Sequence, residues 1–233
     1  MVKKLVALAL LAIFGLLFAA LVTTYTPDAE LNQTARYYAE RTAADLGAAN
    51  IVTAIIVTYR GLDTLGEVTV LFLAAAIVGL VLAEGRHGRS SGQRVRPPVG
   101  ELLTTGTRFL VPMILLLGVY VFVNGHLTPG GGFQGGAIVA SAVLLMLLAD
   151  PLRHFSHGLI SAIESLAGVF YVAIGIAGLF LAGGFLDNRI LPLGQVGELF
   201  SAGAIPVIYS LIGLKVGAEF ASMLASLSET DEL

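Results

Sequence analysis

Cysteine and tryptophan are both absent from the 233-residue sequence, and Asp, Glu, Lys and Arg together make up only 12% of it. Without cysteine there is no disulfide, no thiol nucleophile, no thiolate-bound zinc and no cysteine-held iron–sulfur cluster. Without tryptophan, anchoring at a membrane interface falls to Tyr, Phe, Arg and Lys. The charged fraction is about half the ~25% of an average soluble domain. That scarcity excludes a soluble enzyme domain and a disordered chain, and a net charge of −3 leaves no basic field for nucleic acid. What is present is apolar: 56% of residues are hydrophobic and the mean hydropathy is +0.87. These residues fall in long unbroken runs, unlike the alternating strands of a membrane barrel. The expected fold class is all-α: a polytopic membrane protein with about six transmembrane helices.

The first run, 5–22, follows Lys3 and Lys4. At 1.5 Å per residue it spans ~27 Å, close to the ~30 Å hydrocarbon core. It reads as a retained helix, with a cleaved leader as the alternative. Residues 23–46 are polar, with a turn at Pro27-Asp28 and a short helix over 29–45 expected on the membrane surface. The stretch 50–58 is apolar but too short to cross, and reads as interfacial or half-inserted. Further spans are expected over 68–83, 109–123, 137–149, 159–186 and 199–227. Between the second and third, GRHGRSSGQRVRPPVG carries four arginines and two prolines and marks the main boundary. With Met1 inside, Lys3, Lys4, Arg86, Arg89, Arg94, Arg96, Arg108 and Arg153 fall on inner segments. Arg36, Arg41, Arg60 and Arg189 fall on outer ones, so both termini are expected in the cytoplasm.

A charge in hydrocarbon costs roughly 2.5–3.5 kcal/mol on insertion scales and persists where it is paired or lines a polar path. Three places qualify. In Arg60-x-x-Asp63-x-x-x-Glu67 the two acids are four apart and share a helix face. They suit cation binding or proton exchange, or simply an acidic helix start at the interface. Glu164 is the only charge in its run, with Tyr171 seven residues on along the same face; it reads equally as a titrating carboxylate or a hydrated interfacial acid. Lys215-x-x-x-Glu219 reads first as a neutralised structural ion pair, with a proton relay as the sharper alternative.

The turn 124–136 is rich in glycine, which permits close backbone approach. It has no Lys-Ser/Thr and no preceding strand, so it is not a phosphate loop. His126 stands without metal-ligand spacing, and His154 and His157 have no third partner, so no metal site is expected. The turn, with the small residues of the last three runs, suits tight helix packing. With no paired mid-helix histidines, a haem-binding redox protein is disfavoured. The scarcity of intramembrane charge and the absence of repeated broken helices count against a free-standing small transporter.

The stretch GHLTPGGGFQGGAIVA (125–140) closely resembles the signature of the MnhB family, the B-type component of the Mrp multisubunit cation/proton antiporters. The likeness runs over 108–227 and includes GLKVGAEF at 213–220. NIVTAIIVTYRGLDTLGEVTVL (50–71) resembles the C-terminal part of the large A-type component of the same antiporters. Related membrane-bound hydrogenases and sulfane reductases carry that part as a small separate E-type component. The usual pattern there is V-D-F-R-G-F-D-T-x-G-E. This chain keeps Arg60, Gly61, Asp63, Thr64, Gly66 and Glu67 but has Thr58-Tyr59 where Asp-Phe is common, so one acid is missing. The resemblance implies a fusion: a two-helix module over 1–84, a cytoplasmic link over 85–100 and a four-helix module over 101–233. It implies a non-catalytic component, with no cofactor of its own, in a cell-membrane complex that moves Na⁺ and H⁺. That complex is either a stand-alone antiporter or a redox-driven relative of respiratory complex I, and the other membrane subunits are the partners. By motif, Asp63 and Glu67 carry over as ion-path residues, with Glu164, Lys215 and Glu219 as further candidates. Arg60, Gly61, Gly66, His126, Pro129, Gly130, Gly131, Gly132, Phe133, Gly135 and Gly136 carry over as motif and packing positions. A purely structural assembly scaffold is the alternative.

Overall fold

The computed structural model describes residues 2–26, 30–86, 100–150 and 155–229. The Pro27-Asp28 turn, residues 87–99 of the link, Arg153, His154 and the last four residues of the acidic tail lie outside them. Two compact units are present, Met1–Tyr37 and Tyr38–Leu233. Among the described residues all regular structure is helical.

The first unit holds α1 (Val2–Thr24), none of whose side chains is buried. Its last turn is trimmed by Thr23 and Thr24, whose hydroxyls donate to the carbonyls of Ala19 (2.8 Å) and Ala20 (2.7 Å). Asn32 then starts α2 (Gln33–Leu46) by accepting the Ala35 N–H at 2.8 Å.

In the second unit α2 ends at Gly47, whose φ of +69° suits a residue without a Cβ. Asn50 caps α3 (Ile51–Ala54) by accepting the N–H groups of Val52 and Thr53. The path from α2 into this segment bends by 84°. The expected surface helix and the half-inserted stretch are therefore one broken unit. A π-turn over Ile55–Tyr59 follows, then α4 (Gly61–Arg86). The buried Thr64 donates to the Ile56 carbonyl at 2.6 Å and so satisfies an oxygen in the widened turn.

The remaining spans are α5 (Glu101–Val123), α6 (Gly132–Ala149), α7 (His157–Leu181) and α8 (Ile205–Glu229). With α1 and α4 they make six helices long and apolar enough to cross a membrane. Three boundaries differ from the hydropathy reading. Helix α4 begins at Gly61, so Asp63 and Glu67 sit on a spanning helix. Helix α6 begins at Gly132, so part of the glycine turn is helical. Residues 199–204, though apolar, precede α8, and Pro206 occupies its first turn, where a missing N–H costs nothing.

Helix α8 is the centre of the bundle and touches α4, α5, α6 and α7. Its Ile205, Ile208, Tyr209, Ile212 and Val216 form the core with Tyr171 and Leu186. Close packing is made by glycine. A Cβ on Gly132 would lie 2.9 Å from the Tyr209 carbonyl oxygen, and one on Gly136 2.8 Å from that of Gly213. A Cβ on Gly135 would lie 2.7 Å from the Gly118 carbonyl oxygen. Helix α6 thus lies backbone to backbone against α5 and α8.

Candidate functional site

The polar groups gather in three places. On α4, Asp63 and Glu67 lie one turn apart on an exposed face. Arg60, at the end of the π-turn, reaches forward to Asp63 at 2.5 Å. Gly61 has a packing role: a Cβ there would meet the Leu186 side chain at 2.7 Å. Gly66 has none among the described residues, since nothing there lies within 4 Å of where its Cβ would be.

The second place is interior, between α4, α7 and α8. The Lys215 ammonium contacts Glu219 Oε1 at 2.8 Å, and the Glu219 side chain is 0% exposed. Desolvating a carboxylate this far requires a charged partner, and Lys215 supplies it. Among the described residues no group hydrogen-bonds to Glu219 Oε2. The ammonium also sits 4.8 Å above the Phe72 ring of α4, and its stem packs against Gly168 of α7. Glu164 lies one turn before Gly168 on α7. It lines a mainly apolar groove of about 580 Å³ together with Phe72, Gly168, Val172, Ile176 and Lys215. The residue that stood alone in its run is thus part of a cluster of two acids and one base. Tyr171, 1% exposed, buries a hydroxyl that has no hydrogen-bond partner among the described residues.

The third place is the end of the bundle where the glycine turn lies. Asn50 donates from its amide to the carbonyls of Gly125 and Thr128, both at 2.9 Å, and from its backbone to His126. Thr53 donates to Gly125 at 2.6 Å and is itself bonded by the Tyr209 hydroxyl at 3.1 Å. The broken helix is thereby fastened to the glycine turn. Gly131, at φ +157°, passes so near Tyr209 that a Cβ would come within 2.9 Å of its ring. His126 is fully buried, with Nε2 3.4 Å from the Glu198 carbonyl and, among the described residues, no partner at Nδ1. Burial pulls its pKa below the usual histidine value. Pro129 is exposed, Gly130 is partly buried, and Phe133 packs against the core.

Two residues at this end carried no mark in the sequence. Asn188 is fully buried and donates to the carbonyls of Leu46 (2.8 Å) and Ala202 (2.9 Å). Asp187 is gripped by the Arg189 guanidinium and by the N–H groups of Arg189 and Gly183. These hold its carboxyl at about 2, below the usual range, with Arg189 the largest cause. Among the described residues no three metal-ligating side chains converge.

Six apolar spans with a buried ion pair where helices meet define a multi-pass membrane protein. The family comparison fixes which one. Residues 102–222 match the family described as the domain related to the MnhB subunit of Na⁺/H⁺ antiporters, and the chain belongs to that family. Residues 2–98 match a second family, MbhE, described as a component of MBH. An uncharacterised protein of Methanocaldococcus jannaschii is 34% identical over 77% of this chain and 77% of its own length. A probable K⁺/H⁺ antiporter protein of Rhizobium meliloti, of the combined A/B type, is 28% identical over 82% of this chain, which spans only 22% of that protein. In the solved archaeal membrane-bound sulfane sulfur reductase, one chain superposes with a TM-score of 0.82 at 39% identity. The match covers 97% of this chain and 98% of that one. A chain of the Mrp complex from Dietzia sp. DQ12-45-1b gives 0.80 at 29% identity, over 99% of this chain and 26% of that one.

Proposed function

We propose that this chain is a non-catalytic membrane subunit of a multisubunit cation/proton-translocating complex in the cell membrane. The complex is a Mrp-type Na⁺/H⁺ antiporter or a redox-driven relative, and the chain bridges larger pumping subunits and contributes to the ion path. It needs no cofactor of its own. Na⁺ and H⁺ are the transported ions, and both termini face the cytoplasm. The placement of Asp63 and Glu67 carries this reading. Two carboxylates on the outward face of a spanning helix would each cost several kcal/mol against lipid. In the membrane that face therefore meets another protein or water. Gly66 fits beside them, because its missing side chain serves nothing inside this chain.

The test is Glu67→Gln in the assembled complex. The expected result is Na⁺/H⁺ exchange lowered by ~10²-fold, within the range for loss of one proton-transferring group, with the complex intact on a native gel. Wild-type exchange in an intact complex would leave the chain as an assembly scaffold only.

A further inference from the structure

Helices α4 and α7 both pack on α8, and the groove of about 580 Å³ opens between them. From Glu164 to Ile176 it runs ~18 Å along α7. Phe72, Val169, Val172 and Ile176 stand exposed along it. Such walls alone would suit lipid, but Glu164 does not. Helix α7 is ~37 Å long, so centred on a ~30 Å hydrocarbon core it passes each edge by ~4 Å. Glu164, two turns from its start, then lies ~7 Å inside the hydrocarbon. A carboxylate at that depth is too short to reach the interface as a lysine stem can, and it persists beside a counter-charge. The base in the groove, Lys215, is already held by Glu219 at 2.8 Å. Among the described residues Glu164 has no ion-pair partner. The α7 wall beside it is low: Ser165, Gly168 and Ala173 line the groove. A Cβ on Gly168 would touch only the Lys215 side chain, at an ordinary 3.6 Å. Packing inside the chain therefore does not demand that glycine, and the low wall admits another helix closely.

We infer that this groove seats a transmembrane helix of another subunit, which presents a lysine or arginine to Glu164 and apolar side chains to the rest. The inference is independent of the ion path read at Asp63 and Glu67: Glu67 is not among the groove's lining residues and lies ~140° round α4 from Phe72. The charges select the occupant. Glu164 and Glu219 face one base in this chain, and one more base makes the set neutral. An acyl chain would leave Glu164 uncompensated. Water would hydrate Glu164 but would also lie against Val169, Val172 and Ile176, whose exposed side chains favour an apolar occupant. A helix with one base meets both demands. At ~10–12 Å across, it lies along the groove and fills it with the side chains of one face.

The experiment places a photo-cross-linking residue, p-benzoylphenylalanine, at Val169, which is 64% exposed in the groove. The assembled complex is purified and irradiated, and mass spectrometry locates the adduct. The expected adduct joins an apolar, membrane-length segment of another subunit that contains a lysine or arginine. An adduct to lipid alone, or to a segment without a base, overturns the inference. In parallel, Glu164→Lys sets two bases face to face and is expected to lower the recovered complex at least ~10-fold on a native gel. Glu164→Gln keeps a hydrogen-bonding group and is expected to lower it less. Unchanged recovery in Glu164→Lys overturns the pairing. If Glu164→Lys fails to accumulate, Ala173→Trp decides. It fills the groove from an exposed position and leaves the chain's own core untouched. The chain is then expected to remain monodisperse in detergent while the cross-linked subunit is lost from it; retention of that subunit overturns the inference.

Discussion

At the scale of single residues, the same burial acts differently on different groups. Glu219 is buried with Lys215 one turn before it as its ion-pair partner. Burial of His126 outweighs its hydrogen bonds to the backbone of Glu198, Val123 and Leu199, favours the neutral form and lowers its pKa. A base whose pKa falls on folding binds more protons when unfolded, so stability rises with pH across the interval. The contribution of His126 is complete above pH ~6.5 and is lost as pH falls below that value. The complex in detergent should therefore lose thermal stability between pH 7 and pH 5. His126→Gln should flatten that slope even though it lowers the plateau. Scanning by size-exclusion chromatography after heating reads this directly; an unchanged slope would show that His126 does not charge in that interval. The i, i+4 spacing of Lys215 and Glu219 was legible in the sequence because the pair is local. Phe72 and the Asn50–Thr53–Tyr209 web were not, because each depends on neighbours more than 70 positions away.

At the scale of elements, hydropathy located every span and misplaced several ends. The first turn of α6 looked like loop because glycine is a poor helix former. It is helical because Gly132, Gly135 and Gly136 let α5 and α8 approach to backbone contact, and packing outweighs propensity. The apolar stretch before α8 looked helical, but Ala202 and Gly203 take φ of +64° and +55° there and turn the chain. Gly132→Leu tests this account of α6. Its side chain would drive into the Tyr209 carbonyl, which cannot move aside as a side-chain tip can. A cost on the order of 3 kcal/mol or more is expected, read as loss of intact complex on a native gel. Recovery of normal amounts of complex would mean that α6 and α8 are not held this closely.

At the scale of the whole molecule, most of the large apolar side chains of α1 and α4 are exposed, among them Leu11, Leu16, Val70, Leu73 and Leu80. Lipid can cover those, but it cannot cheaply cover Asp63 and Glu67 on the same surface of α4. The fusion of two family patterns was legible because both motifs are contiguous strings; the joining of α4 to α7 and α8 through Phe72 and Lys215 was not. The central claim is that the chain works only inside a larger complex. The most direct measurement is affinity purification of the tagged chain in mild detergent, followed by mass spectrometry of the co-purifying proteins. Large antiporter-type membrane proteins in stoichiometric amounts are the predicted result, with or without redox subunits beside them. Recovery of the chain alone would contradict the account.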